Sequence, residues 1–287
     1  MPSAAPVPSA TSITLRRVPW TPVLLHIALT IAFTFGMAAP FLLGPFDPEL
    51  IGAVVPFAMW VPALVSLLTN RLWRQGPIRE LWAVGPKRAW QDHEWRSRLG
   101  WPLALAVAIM LGVPIVQLAL AMAFGVTDWS PRSGLLGALI ATPLVLLMQL
   151  LFATGEELGW RGYLQTLLAP LGFWPMALFL SAVWVAFHSP AALALWASGE
   201  GYHATLLYLG DIFAIGLVFS ALRRIGASVW PVVLAHALLN SGRVLLMQNF
   251  TTPELDLAVA DQWTLHAIGW ALFAAVAVWL SRKPVAR

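Results

Sequence analysis

Glu156-Glu157, followed by Arg161, interrupts an apolar run that begins near residue 134. If a helix continues through this segment, Glu157 and Arg161 are four apart on one face with the acid N-terminal, the favourable order for an ion pair. Glu156, about 100° around the same helix, is left without a local partner. A second apolar run carries Trp184 and His188, and a third carries His236 and Asn240, each pair at a spacing that shares one helical face. Amide hydrolysis needs a base to activate water, donors for the developing oxyanion and an acid for the leaving amine. Glu, His and Asn can supply all three. Taken singly, each group also fits a bland reading, as a helix end that meets water or as interhelical hydrogen bonding. Asp211, in a further apolar run, reads as structural, hydrogen-bonded or paired with Arg243, and His26, His203 and His266 lie near the ends of runs or in loops.

The elements that must position these groups follow from composition. Of 287 residues 59% are apolar and 10% charged, with mean hydropathy +0.76, against roughly 25% charged in soluble domains. Runs of about 20 apolar residues are long enough to cross a bilayer as helices. Eight are read: Thr21–Leu43, Leu50–Thr69, Trp101–Phe124, Gly134 to a point between Thr154 and Leu168, Trp174–Ala197, Thr205–Leu222, Ser228–Gln248 and Thr264–Ser281. The expected fold is all-α, a polytopic membrane helical bundle forming one transmembrane domain over 20–282, behind a disordered tail over 1–19 rich in Ser, Ala and Pro. The first run is long and closely followed by another, so it is read as a retained helix and not as a secretory or twin-arginine export signal. Without cysteine, thiolate nucleophiles, disulfides and iron–sulfur sites are excluded.

Fifteen of the 17 Lys and Arg lie on one side of this arrangement: Arg16, Arg17, seven in the loop Asn70–Gly100, Arg161, Arg223, Arg224 and the C-terminal tail. The opposite loops hold Arg132 with Asp47, Glu49, Asp128, Glu200, Glu254, Asp256 and Asp261, and Arg243 lies within a run. Both termini are therefore expected in the cytoplasm. Topology, not nucleic acid, accounts for the net charge of +4. Trp73, Trp82, Trp90 and Trp95 among the basic residues of Asn70–Gly100 suggest an amphipathic segment lying on the cytoplasmic leaflet.

Measured at about 1.5 Å per residue from the cytoplasmic helix ends, His236 lies roughly 12 Å deep, Asn240 and Glu156 about 18 Å and His188 about 21 Å. Four polar groups from three spans thus share one layer. Glu-Glu-x-x-x-Arg at Glu156–Arg161, aromatic-x-x-x-His at Trp184–His188 and His-x-x-x-Asn at His236–Asn240, in this order on eight spans, resemble the CPBP intramembrane proteases. That family includes the Ras-converting CAAX prenyl endopeptidases and bacterial proteins linked to bacteriocin immunity. The resemblance covers roughly Leu135 to Leu246, and departs from the usual pattern in placing Trp184 where Phe is common. It implies endoproteolysis near the cytoplasmic membrane face, which in the CAAX enzymes removes the last three residues after a prenylated cysteine. It further implies Glu156 as catalytic glutamate, His188 as its partner in activating water, His236 and Asn240 as the oxyanion pair, and Glu157, Arg161 and Trp184 as supporting residues.

With Glu157 and Arg161 cancelling, the site keeps one excess negative charge, to be met by a proton, a protonated histidine or a metal ion. A zinc ion on Glu156, His188 and His236 is a candidate cofactor, but it would take Glu156 as a ligand and leave no base. Metal-independent water activation is favoured on that ground. The His-Glu-x-x-His zinc signature is absent, since His93-Glu94-Trp95-Arg96-Ser97 lacks its second histidine. Competing readings are a proton-coupled transporter with a Glu156, His188 and Asp211 relay, and a non-catalytic scaffold or chaperone. Expected partners are membrane lipid and a peptide or protein substrate at the membrane, including a lipidated one. Fifteen Arg against two Lys, with abundant Ala and Trp, point to a bacterial plasma membrane.

Overall fold

The computed structural model describes residues 15–44, 46–85, 93–199 and 201–285, the side chains of 93–98 excepted. Most of the expected N-terminal tail, Lys87, Arg88, Trp90, Glu200, Arg287 and the side chains of the His93-Glu94 stretch lie outside it. Among the described residues no strand forms, and eight helices are long and apolar enough to cross a membrane. They are α1 (Trp20–Leu42), α2 (Val55–Trp73), α3 (Leu99–Ala123, continuous with a helix from His93), α4 (Leu135–Leu171), α5 (Phe173–Ala197), α6 (Gly201–Gly226), α7 (Trp230–Asn249) and α8 (Val259–Ser281). Helices suit this setting because each satisfies its own backbone where no water can. The largest helix–helix interfaces join α5 to α6 and α6 to α8, which makes α6 the central and most buried helix.

Two helices do not run as regular α-helix throughout. α4 widens into a π-helix over Leu158–Leu164, immediately after the acidic pair, and α7 does so over Leu239–Arg243, across Asn240. Such wide turns are rare and recur at functional sites. α4 also changes environment along its length. None of residues 135–152 is buried, so this half meets lipid, whereas residues 155–165 are all buried. The acidic pair therefore sits just where the helix enters the bundle.

Three glycines permit that entry. A Cβ on Gly155 would meet the Met59 carbonyl and Trp60, one on Gly159 would overlap Pro62, and one on Gly162 would meet the Trp82 backbone. Small residues at four-residue spacing let helix backbones approach closely. Here they seat α4 against the start of α2 and against the turn that follows it. Over its described residues, 74–85, this turn departs from the expectation of a surface segment. Ile78–Leu81 is a short helix folded inward, Leu81 is fully buried, and the carbonyls of Leu81, Ala83 and Val84 accept from Thr166, Val229 and Trp230 at 3.0, 3.1 and 3.2 Å. Leu81 and Trp82 pack into the ends of α4 and α7, which removes more apolar surface from water than lying flat on a leaflet would. α2 also begins later than expected, because residues 48–53 form a separate 3-10 turn.

The close approach at Gly159 generates the first prediction. Replacing Gly159 with Val forces α2 away from the π segment, and overpacking of this kind costs about 1–3 kcal/mol or more. Thermal unfolding in detergent should show a lowered midpoint; an unchanged one would mean that the contact with Pro62 is dispensable.

Candidate active site

The site is built around Trp184, which α5 projects between α4, α6 and α7. Its indole Nε1–H donates to Glu156 Oε2 at 2.9 Å. Its ring face receives the Arg161 guanidinium at 4.3 Å, with Phe219 of α6 on the same cation at 5.1 Å. Its edge meets the rings of His188 and His236, with centroids at 4.8 and 5.5 Å. The glutamate that sequence reasoning left unpartnered thus has a partner from another helix. The residue read as aromatic packing is also a hydrogen-bond donor, a role phenylalanine could not take.

Glu157 carries the second half of the site. Arg161 Nη1 donates to both of its oxygens at 3.1 and 3.3 Å, and His236 Nδ1 donates to Oε1 at 2.7 Å. The i,i+4 ion pair expected from spacing is present, with both side chains fully buried. The bond to His236, which joins α4 to α7, is not visible in spacing. It requires Nδ1 to carry a hydrogen and turns Nε2 to the other side of the ring. His188 is fixed in the same manner by its own helix, since Nδ1 lies 2.8 Å from the Trp184 carbonyl. A carbonyl oxygen only accepts, so Nδ1–H donates and, in the neutral ring, Nε2 keeps its lone pair.

Asn240 donates through Nδ2 to Gln149 Oε1 at 3.0 Å. Gln149 was missed by the sequence reading, yet it is polar in an apolar run and lies two helical turns before Glu156, hence on the same face. Glu156, Trp184, His188, His236, Asn240 and Gln149 all line one cavity of about 800 Å³. The layer inferred from helix depth corresponds to one cavity.

Among the described residues no three His, Asp or Glu side chains are arranged to hold a metal ion.

Asp211 is paired with Arg243 at 2.7 Å, one of the alternatives read from sequence, and it also accepts from His266 Nδ1 at 2.9 Å and Trp270 Nε1 at 2.8 Å. His266 reaches Glu254 with its other nitrogen at 2.9 Å. With three donors on its carboxylate, Asp211 ties α6, α7 and α8 together and is not a free relay group. Asp211, Arg243, Glu254 and His266 line the same cavity, further from the basic turns. The lining of the cavity comes from α1, α2, α4 to α8 and the loops at the end remote from the basic turns.

Comparison with known families covers the segment that supplies these groups. Residues 135–242 match the family model described as type II CAAX prenyl endopeptidase Rce1-like. Over this segment the chain is similar to the Rce1-like family. The match supports the resemblance to CPBP intramembrane proteases and nearly coincides with the segment that carries the three motifs. No curated protein matches the chain. The Rce1-like segment runs from the lipid-facing half of α4 to the π turn of α7 and so contains all three motifs, while α1, α2, α3 and α8 lie outside it. The chain is an integral membrane protein with a segment similar to a protease family.

The second prediction concerns Glu157. Removing one partner from a buried ion pair leaves the other charge uncompensated, at a cost of about 3–5 kcal/mol. Glu157→Gln should lower the unfolding midpoint in detergent more than Glu156→Gln does; equal midpoints would mean that Arg161 and His236 do not depend on Glu157.

Proposed function

We propose that the chain is an endopeptidase that hydrolyses a peptide bond of a membrane-adjacent polypeptide with water activated by Glu156 and His188. The observation that carries this reading is the shared cavity in which Glu156, His188, His236 and Asn240 meet, each side chain fixed by a bond to a second residue. Catalytic groups held by such partners need no reorganisation during the reaction.

In this mechanism a water bound between Glu156 and His188 gives its proton to the Glu156 carboxylate as its oxygen attacks the carbonyl carbon. The carbonyl π pair moves onto oxygen, where protonated His236, through Nε2–H, and the Asn240 amide donate to the oxyanion. Collapse of the tetrahedral intermediate breaks the C–N bond, and the proton held by Glu156 passes to the leaving amine, which regenerates the carboxylate. Glu157 and Arg161 neutralise one another, so the remaining excess negative charge is met by a proton held among Glu156, His188 and His236. A bilayer-buried carboxylate suits the base because exclusion of water strengthens every interaction within the site. No step here passes through a metal, because Glu156 held as a zinc ligand would not be free to act as the base.

The basic turns support a cytoplasmic placement of both termini, and the arginine-rich composition supports a bacterial plasma membrane. The family match supports a peptide substrate at the membrane, with a lipidated one within its scope. The transporter reading loses its relay because Asp211 is committed to Arg243, His266 and Trp270.

Two predictions follow from the chemistry. Glu156→Gln keeps the acceptor for Trp184 but not the base, and should reduce peptide cleavage by at least about 100-fold, within the range general acid–base catalysis supplies; retained biological effect in that variant would favour the scaffold reading. Cleavage by the purified protein should survive a strong zinc chelator. A chelator-induced loss reversed by added zinc would replace the mechanism with a metal-assisted one.

A further inference from the structure

We propose that Gln149 is a positioning residue of the reaction, holding the side-chain amide of Asn240 so that an N–H, and not the amide oxygen, faces the scissile peptide group. The inference rests on the proteolytic reading of the site and extends it to a residue outside the three motifs.

Three of residues 135–154 carry polar side chains: Thr142, Gln149 and Thr154. Two of these keep to their own helix, since Thr142 and Thr154 donate to the carbonyls of Ala138 and Leu150 at 2.7 Å each. Gln149 reaches another helix, where its Oε1 accepts from Asn240 Nδ2 at 3.0 Å. A primary amide in the half of α4 that meets lipid is costly unless it is bonded. Adhesion between helices is one use for such a bond, but its place and its valence both point to the site.

The place is set by α4 and α7 together. Among the described residues, side-chain hydrogen bonds join these helices at two points, His236 to Glu157 at 2.7 Å and Asn240 to Gln149 at 3.0 Å. Each bond ends on one of the two α7 groups assigned to the oxyanion. On α4 the two anchors lie on either side of Glu156 in sequence. The base and both donors are thereby held in one frame.

The valence follows from the amide itself. Asn240 has two N–H hydrogens on one side of its amide and a carbonyl oxygen on the other. Rotated by half a turn, it would put Oδ1 where Nδ2 now stands and repel a developing oxyanion. With its oxygen turned to α7, Gln149 accepts one Nδ2 hydrogen and so selects the donating orientation. Among the described residues neither amide makes another hydrogen bond to the protein, and both line the cavity with Glu156 and His236. The second Nδ2 hydrogen remains for the substrate.

A double-mutant cycle tests this. Gln149→Met removes the acceptor and keeps an unbranched side chain of similar length against lipid. In the purified full chain, cleaving a fluorogenic peptide that carries an apolar membrane anchor, Gln149→Met should lower kcat at least about fivefold and leave KM within about twofold, because the impaired interaction is made in the transition state. Asn240→Ala, which removes the donor outright, should lower kcat about 100-fold or more. The variant with both changes should be no slower than Asn240→Ala, since a residue that acts through Asn240 has nothing to position once Asn240 is gone. If Gln149→Met costs the same factor in both backgrounds, the inference is overturned and Gln149 acts on substrate or on the fold. An unchanged kcat for Gln149→Met overturns it as well, with or without a raised KM. Adhesion alone would show as a lowered unfolding midpoint in detergent, whereas the midpoint of Gln149→Met should stay at that of the unaltered chain. Gln149→Leu repeats the cycle with a second apolar side chain. Should Glu156→Gln retain full cleavage, the proteolytic reading falls and this inference with it. If Glu156→Gln is inactive while Gln149→Met works at full rate, only this inference falls.

Discussion

A carboxylate and a guanidinium with no exposure at bilayer depth make the constraint to which the rest of this molecule answers. Glu157 and Arg161 cannot stay charged in hydrocarbon unless each is paired and hydrogen-bonded. Glu157 accepts from Arg161 and His236, and Arg161 lies over Trp184 and Phe219. Those partners come from α5, α6 and α7, so satisfying one ion pair draws four helices to a point. The glycines at 155, 159 and 162 bring α2 and its following turn against the back of the same segment. The catalytic candidates are assembled as a consequence: the groups that neutralise the pair also aim Glu156, His188 and His236 into one cavity.

The bundle is asymmetric along its axis. Over the described residues, the end with the basic turns is filled by aromatic and aliphatic side chains and by a turn folded inward between α2 and α3, while the cavity is bordered by the Asp211 cluster. Asp211, Arg243, His266 and Trp270 pin α6, α7 and α8 beside that cavity. A wide cavity weakens packing between helices, and ionic and hydrogen bonds across its wall hold the helices apart at a fixed distance. A buried ionic network fits this duty better than side-chain packing because its geometry is directional.

The eight spans, the helical class and the three motifs were legible from sequence because each depends on local properties: apolar run length, charge distribution and four-residue spacing. The Glu157–Arg161 pair was legible for the same reason. What spacing could not reveal was any bond between helices. Trp184 to Glu156, His236 to Glu157 and Gln149 to Asn240 each join residues far apart in the chain, and their existence depends on the rotation of whole helices. Gln149 alone left a signal, as a polar residue in phase with Glu156. The turn after α2 was misread because its tryptophans and arginines carry the same pattern whether it lies on a leaflet or folds inward, and only the glycine-lined surface of α4 decides between them.

By itself, then, the amino-acid order determined that this is a membrane helical bundle, which side chains are costly enough at depth to have a role, and which face of each helix bears them. The tertiary structure decided how those faces are paired and which residues of the eight helices line one cavity. The division has one cause. Hydropathy and helical phase are written within about 20 residues, a single crossing of the bilayer, whereas partner choice and the lining of the cavity depend on how the eight crossings pack together.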